Sequence, residues 1–191
     1  MMRIITGSRK GLKLKTPAGQ STRPTSDRVK ESLFSILNGL CNFSEVEKVL
    51  DIFAGTGALG LESLSRGAKS AVFIDAATTN LIAENICRAK FESVTKNFRG
   101  DFEKILQKLS RENIQFDLIF SDAPYHKGLA QKSLELVAEL NLLTAEGFFV
   151  VEYGADENLS APKNFQSVRK IIYGHTTAIE IFQNKIQLES L

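Results

Sequence analysis

The stretch Asp51-Ile52-Phe53-Ala54-Gly55-Thr56-Gly57-Ala58-Leu59-Gly60 reads as a strand end, a glycine-rich turn and a helix start. The apolar run Val49 to Phe53 has the composition of a buried strand, and Gly55, Gly57 and Gly60 satisfy the G-x-G-x-x-G spacing of a nucleotide-binding turn. Asp75 follows Gly55 by 20 residues, at the end of the next apolar run, where an acid reaches ribose hydroxyls. The spacing alone admits NAD, FAD or S-adenosylmethionine. Charge separates them. Asp51 puts a carboxylate near the turn, unfavourable beside a pyrophosphate but favourable to the ammonium and sulfonium of S-adenosylmethionine. The plainer role for Asp51 is to cap the turn or the helix after it.

Outward from this turn the pattern alternates. Further strand-like runs are Ala71 to Ile74, Phe116 to Phe120 and Phe148 to Val151, with a weaker one near Val94 to Phe98. Helical segments fall around 58–66, 78–90, 102–110 and 129–141, and Gly67 reads as the stop of the first. The alternation predicts an α/β fold, a Rossmann-like parallel sheet with helices on both faces. Gln166 to Tyr173 and Thr177 to Gln183, separated by Gly174-His175-Thr176, predict a terminal antiparallel hairpin. Ligands of such sheets bind beyond the carboxyl ends of the strands. Asp51, Asp75, Asp101 and Asp122 then share one rim. Asp101 suits the amine of an adenine; its plainer role is to cap the helix that starts at 102.

The tetrad Asp122-Ala123-Pro124-Tyr125 directly follows the strand-like run Phe116 to Phe120 and Ser121. A carboxylate and a backbone carbonyl accept hydrogen bonds from an exocyclic amine, and an aromatic ring stacks on the base that carries it. Such an amine is a poor nucleophile, because its lone pair is delocalised into the heterocycle. Orienting that lone pair is therefore the main task of an alkylating enzyme. The competing role for Tyr125 is an ordinary strand-end aromatic. His126 reads as an exposed loop residue and His175 as a turn residue, since methyl transfer to an amine requires no histidine.

A chain of 191 residues is long enough for one domain with its own core. No apolar run approaches the roughly 20 residues of a membrane span, and the N-terminus lacks the apolar core of a signal peptide. Cys41 and Cys87 are isolated, which predicts two buried thiols in a reducing cytoplasm and neither a zinc site nor a disulfide. No metal is expected. Net charge is +2, but residues 1–30 hold eight basic residues against Asp27 alone, leaving −5 on the remainder. A basic arm on a mildly acidic body suits a polyanionic partner. Arg3 to Thr6 and Leu12 to Leu14 read as arm strands among Gly7, Gly11, Pro17, Gly19 and Pro24. A helix follows, capped by Thr25 or Asp27, with Val29, Leu33, Ile36, Leu37 and Leu40 at helical spacing. Arg3, Arg9, Lys10, Lys13, Arg23 and Arg28 are the candidate phosphate contacts.

These residues resemble the class I S-adenosylmethionine-dependent methyltransferases, and more narrowly the bacterial 16S ribosomal RNA guanine-N2 methyltransferases. The match runs through Arg3-Ile4-Ile5-Thr6-Gly7, Thr22-Arg23-Pro24-Thr25, Asp27-Arg28-Val29-Lys30-Glu31, Asp51 to Gly60, Leu61-Glu62-Ser63-Leu64-Ser65-Arg66-Gly67-Ala68 and Tyr173-Gly174. Of these the arm and Thr22-Arg23-Pro24-Thr25 are specific to the narrower family, while the glycine loop is shared more widely. The resemblance implies seven strands with the last antiparallel, an RNA-binding arm over residues 1–25 and a methyltransferase domain over 26–191. It implies that Asp51, Phe53, Gly55, Gly57, Gly60, Asp75, Asp101 and Phe102 bind S-adenosyl-L-methionine. Asp122, Ala123, Pro124 and Tyr125 would hold a guanine extruded from its stack. It further implies ribosomal RNA or a small-subunit ribosomal particle as partner, a cytoplasmic location, a monomer and no membrane. Two departures stand out. The family has proline where this chain has Ala123, which keeps the carbonyl but loses the fixed φ. It more often has glutamate at Asp75, one methylene longer. Adenine N6, cytosine N4 and glutamine amides use the same tetrad, and a nicotinamide-dependent oxidoreductase or a non-catalytic RNA-binding factor remain as other classes.

Overall fold

The structure, a computed structural model, describes residues 2–17 and 25–185; the side chains of Thr25 and Ser26 lie outside that description, as does Arg23. Helix α1 is Thr25–Leu40. Then come β1 (Lys48–Ile52), α2 (Ala58–Arg66), β2 (Ser70–Asp75), α3 (Thr79–Ala89), β3 (Thr95–Arg99), α4 (Phe102–Arg111), β4 (Phe116–Asp122), α5 (Leu129–Glu139), β5 (Leu143–Gly154), β6 (Phe165–Tyr173) and β7 (Thr177–Asn184). The strands form a seven-stranded sheet of order β3-β2-β1-β4-β5-β7-β6. The chain divides into two compact units, Met1–Phe102 and Glu103–Leu191.

In the first unit β1, β2 and β3 run parallel, with Asp51 opposite Phe73 and Asp75 opposite Arg99. Leu33, Phe34 and Leu37 bury one face of α1, and Ile82, Ile86 and Ala89 one face of α3. The arm lies in this unit. Arg3 bridges Lys13 in antiparallel fashion, and Ile4 and Leu14 are buried. Asp27 falls inside the first turn of α1, which begins at Thr25, and so does not cap it; Asp27 lies 3.8 Å from Arg3. Cys41 is half-buried and Cys87 exposed, which corrects the expectation of two buried thiols. On α3 the buried face is set by Ile82, Asn85, Ile86 and Ala89, and Cys87 points off it.

In the second unit β4 pairs parallel with β5, and β7 runs antiparallel to both β5 and β6. The interior of β4 from Leu118 to Ser121 is buried without alternation, as expected of a strand covered on both faces. The hairpin between Tyr173 and Thr177 forms as predicted. β5 begins at Leu143, earlier than the apolar run Phe148 to Val151 suggests: Leu143 pairs with Phe116, a register shift follows in which Ala145 and Glu146 face solvent, and pairing resumes at Phe148. No helix among the described residues is long and apolar enough to cross a membrane.

Candidate active site

The first unit carries the glycine loop between β1 and α2. The chain leaves β1 through Phe53, whose φ of 59° holds an aromatic residue in the left-handed region. Bulky side chains rarely adopt that conformation, and it concentrates at functional turns. The Phe53 ring packs on Phe102, with centroids 4.8 Å apart. Gly55 and Gly57 follow with φ of 58° and 76°, and the Gly57 N–H closes the turn onto the Ala54 carbonyl at 2.7 Å. Gly60 serves a different purpose. A Cβ there would lie 2.4 Å from Phe73 Cε1, so glycine lets α2 settle on β2.

Two carboxylates frame the loop, and both are bonded to backbone. Asp51, 1% exposed, accepts the Gly60 N–H at 2.9 Å. Burial pushes its carboxyl up to about 7, partly opposed by the Gly60 hydrogen bond and reinforced by the charge of Asp75. Asp75 Oδ2 accepts the Gly55 N–H at 3.0 Å, and Oδ1 accepts the Ala77 and Thr78 N–H groups, each at 2.8 Å. Burial acts to raise the Asp75 carboxyl, but the hydrogen bonds from Thr78, Ala77 and Gly55 outweigh it and hold the group below the usual range. Asp75 thus binds two N–H groups of its own turn and one of the glycine loop. Asp101 is exposed and immediately precedes α4, while Phe102 is buried.

This chemistry sorts ligands. The N–H groups of Gly55 and Gly60, which a pyrophosphate would need, are already given to carboxylates. An anion would also meet Asp51 and Asp75. A Cβ at Gly55 would enter open space, its nearest neighbour the Phe53 carbonyl oxygen at 3.9 Å, so a ligand can approach the backbone there. Acid walls, aromatic rings and an open glycine fit a cationic nucleoside such as S-adenosylmethionine and suit NAD poorly.

The second unit carries the tetrad. Asp122 is exposed at the end of β4 and pairs in register with Glu152 of β5. Ala123 is buried and Pro124 exposed. Tyr125 is half-buried, and its Oη donates to Glu152 Oε1 at 2.6 Å and lies 3.1 Å from Thr177 Oγ1. Burial first, then the Glu152 charge, pushes the Tyr125 phenol up, so it stays a donor across the physiological range. The ring is thus held by its far end to β5 and β7. Glu152 and Thr177 carried no signal in the sequence, since their part depends on strand pairing. His126 is exposed, with φ of 60°, and its Nε2 lies 3.9 Å from Asp156. His175 is exposed in the hairpin turn.

The arm is fastened through its backbone. Glu62 of α2, fully buried, accepts the Ile5 N–H at 2.7 Å, the Thr6 N–H at 3.0 Å and Arg66 Nε at 2.9 Å. Lys30, 5% exposed, lies 3.7 Å from Glu62 and donates to the Arg3 carbonyl. Burial lowers the Lys30 pKa, opposed by Glu62 and Asp27. At Gly7, with φ of 86°, a Cβ would fall 1.8 Å from the Ser65 carbonyl oxygen. The segments Arg3 to Gly7 and Leu61 to Ala68 are therefore two sides of one contact. Arg3, Lys10, Lys13 and Arg28 are exposed. Arg9 is half-buried: its Nε donates to the Ala89 carbonyl at 2.6 Å, and its guanidinium lies 5.1 Å from the centroid of the Phe91 ring.

A family profile described as "Conserved hypothetical protein 95" matches residues 2–182. The chain is 33% identical over 185 residues to ribosomal RNA small subunit methyltransferase D of Haemophilus influenzae, covering 96% of this chain and 94% of that one. It is 33% identical over 192 residues to the protein of the same name in Escherichia coli, covering 99% and 93%. A solved structure of a hypothetical protein from Thermus thermophilus superposes with a TM-score of 0.80 at 28% identity, covering 96% and 99%.

Proposed function

The chain belongs to the conserved hypothetical protein 95 family, that of its ribosomal RNA small subunit methyltransferase D relatives, and from that footing we propose that it transfers a methyl group from S-adenosyl-L-methionine to the exocyclic N2 amine of a guanine in 16S ribosomal RNA. It acts in the cytoplasm as a monomer on ribosomal RNA or the small-subunit particle. The observation that carries the chemistry is the tetrad: Asp122 exposed at a strand end, with Tyr125 fixed by its hydroxyl three residues later.

When bound, S-adenosyl-L-methionine supplies an electrophilic methyl on a sulfonium. The rest is done by side chains and backbone. Asp75, held ionised, gives the loop from Phe53 to Gly60 its negative field, Asp51 fixes Gly60 beneath it, and Asp101 and Phe102 hold the adenine. The Tyr125 ring stacks on an extruded guanine, an interaction worth about 1–3 kcal/mol per base. The Asp122 carboxylate and the Ala123 carbonyl accept the two amine hydrogens, which aims the nitrogen lone pair. Asp122 takes the proton released as the new N–C bond forms. Arg3, Arg9, Lys10, Lys13, Arg23 and Arg28 meet phosphates, a contribution that weakens with salt.

The tetrad by itself fits any planar amine, and the guanine of small-subunit RNA rests on the family. A nicotinamide-dependent oxidoreductase is the second reading that the glycine spacing allows. Competition binding decides between them: S-adenosylhomocysteine is expected to bind and NAD is not, and tight NAD binding alone overturns the proposal.

A further inference from the structure

We propose that Asn85 is a positioning residue for the donor loop, and that through it the arm's backbone at Lys15 forms part of the donor site. Asn85 lies on the buried face of α3 among Ile82, Ile86 and Ala89, and it is itself fully buried. An amide in that company is costly unless its polar atoms are bonded. Its Nδ2 donates to the Thr56 carbonyl at 2.9 Å and to the Lys15 carbonyl at 3.0 Å, while its Oδ1 accepts the Lys15 N–H at 2.8 Å. Both amide hydrogens and one oxygen lone pair are used.

Thr56 stands between Gly55 and Gly57, the two most permissive residues of the loop. A loop flanked in this way has many backbone conformations open to it, and a fixed carbonyl at its middle residue selects among them. The arm grips the same residue a second time, where Thr56 Oγ1 donates to Met2 Sδ at 3.2 Å. The exposed ion pair between Lys15 and Glu84 joins the same two segments through flexible side chains, at 2.5 Å, and such pairs contribute little. The buried amide is the joint. A segment that carries phosphate-binding side chains on its outer face therefore supports the donor loop with its backbone.

This inference rests on the reading of Asp51 to Gly60 as the donor loop. The test is calorimetric binding of S-adenosylhomocysteine to the full chain, with steady-state kinetics on the same preparations. Asn85→Ala is expected to weaken binding about tenfold, a change of 1.4 kcal/mol. KM for S-adenosylmethionine should rise in proportion, while kcat at saturation changes less than about twofold. Lys15→Pro deletes the arm N–H but leaves loop and amide intact, and about a threefold loss is expected. Asn85→Asp sets an ionised carboxylate against two carbonyls, so its loss should be larger at pH 8 than at pH 5. Glu84→Ala, which removes only the exposed pair, should bind as the unaltered chain does. Unchanged affinity in both Asn85→Ala and Lys15→Pro overturns the inference, as does a fall in kcat with KM unmoved. If Asn85→Ala fails to fold, Lys15→Pro alone decides. An unaltered chain that binds no S-adenosylhomocysteine instead overturns the proposed function.

Discussion

The loop after β1 and the loop after β4 both pair a strand end with an aspartate, yet the carboxylates are spent differently. After β1, Asp51 is buried and bonded to Gly60, and Asp75 gathers three N–H groups from two turns. That loop is stiffened by its acids, and its negative field is a by-product of the same bonds. After β4, Asp122 is exposed, and stiffness comes instead from the tie between Tyr125 and Glu152. The contrast teaches that an aspartate at a strand end is not one signal. Asp51 is buried within the frame of its loop, whereas Asp122 stands exposed at its strand end, where a ligand can reach it.

The largest effect should come from removing the exposed acid. Asp122→Ala is expected to lower kcat about 100-fold or more, the scale of lost positioning at a reacting centre. Affinity for S-adenosylhomocysteine should stay within about twofold. A parallel fall in donor affinity would erase the contrast between the two loops. Next is Gly60→Ala, which forces a Cβ against Phe73. Urea unfolding should show a loss of about 1–3 kcal/mol, the usual cost of overpacking.

Asp51 sharpens the comparison through pH. Its folded carboxyl sits at about 7, above the roughly 3.9 of an unfolded aspartate. Between those values the native chain holds a proton that the unfolded chain has released, so this group's contribution to stability falls as pH rises from about 4 and levels off above about 7. Asp75, held low, contributes in the opposite direction, and its stabilisation is lost as pH falls through its folded pKa. Asp51→Asn keeps an acceptor for the Gly60 N–H. Urea midpoints measured from pH 5 to 8 should therefore decline less for Asp51→Asn than for the unaltered chain.

The smallest effect belongs to Tyr125→Phe, which keeps the ring and deletes the tie. About 1 kcal/mol of stability and a few-fold of kcat/KM are expected. Adding Ala123→Pro, the residue usual in the family, should recover part of the activity. No recovery would mean that the hydroxyl does more than stiffen the loop.

What could be read from the sequence follows from locality. Helix 58–66 forms with the predicted bounds because Gly57 opens it and Gly67 closes it. The four parallel runs and the closing hairpin declare themselves by composition. The opening of β5 does not, because Leu143 pairs with Phe116 ahead of a register shift and the residues that follow, Thr144, Ala145 and Glu146, leave no apolar signature. Asp51 illustrates the limit at the site. Its charge and place before the glycines are legible, but its commitment to Gly60 depends on how α2 packs. Glu62, Asn85 and Glu152 were out of reach for the same reason: each acts on a segment at least 27 residues away. The segment Thr22-Arg23-Pro24 lies outside the described residues.

The most direct test of the account is nucleoside mass spectrometry of 16S ribosomal RNA from a strain lacking this gene, before and after complementation. The account predicts that one N2-methylguanosine disappears, returns with the unaltered gene and does not return with Asp122→Ala. Loss of a methylated adenine or cytosine in its place, or no change in any methylated nucleoside, would contradict it.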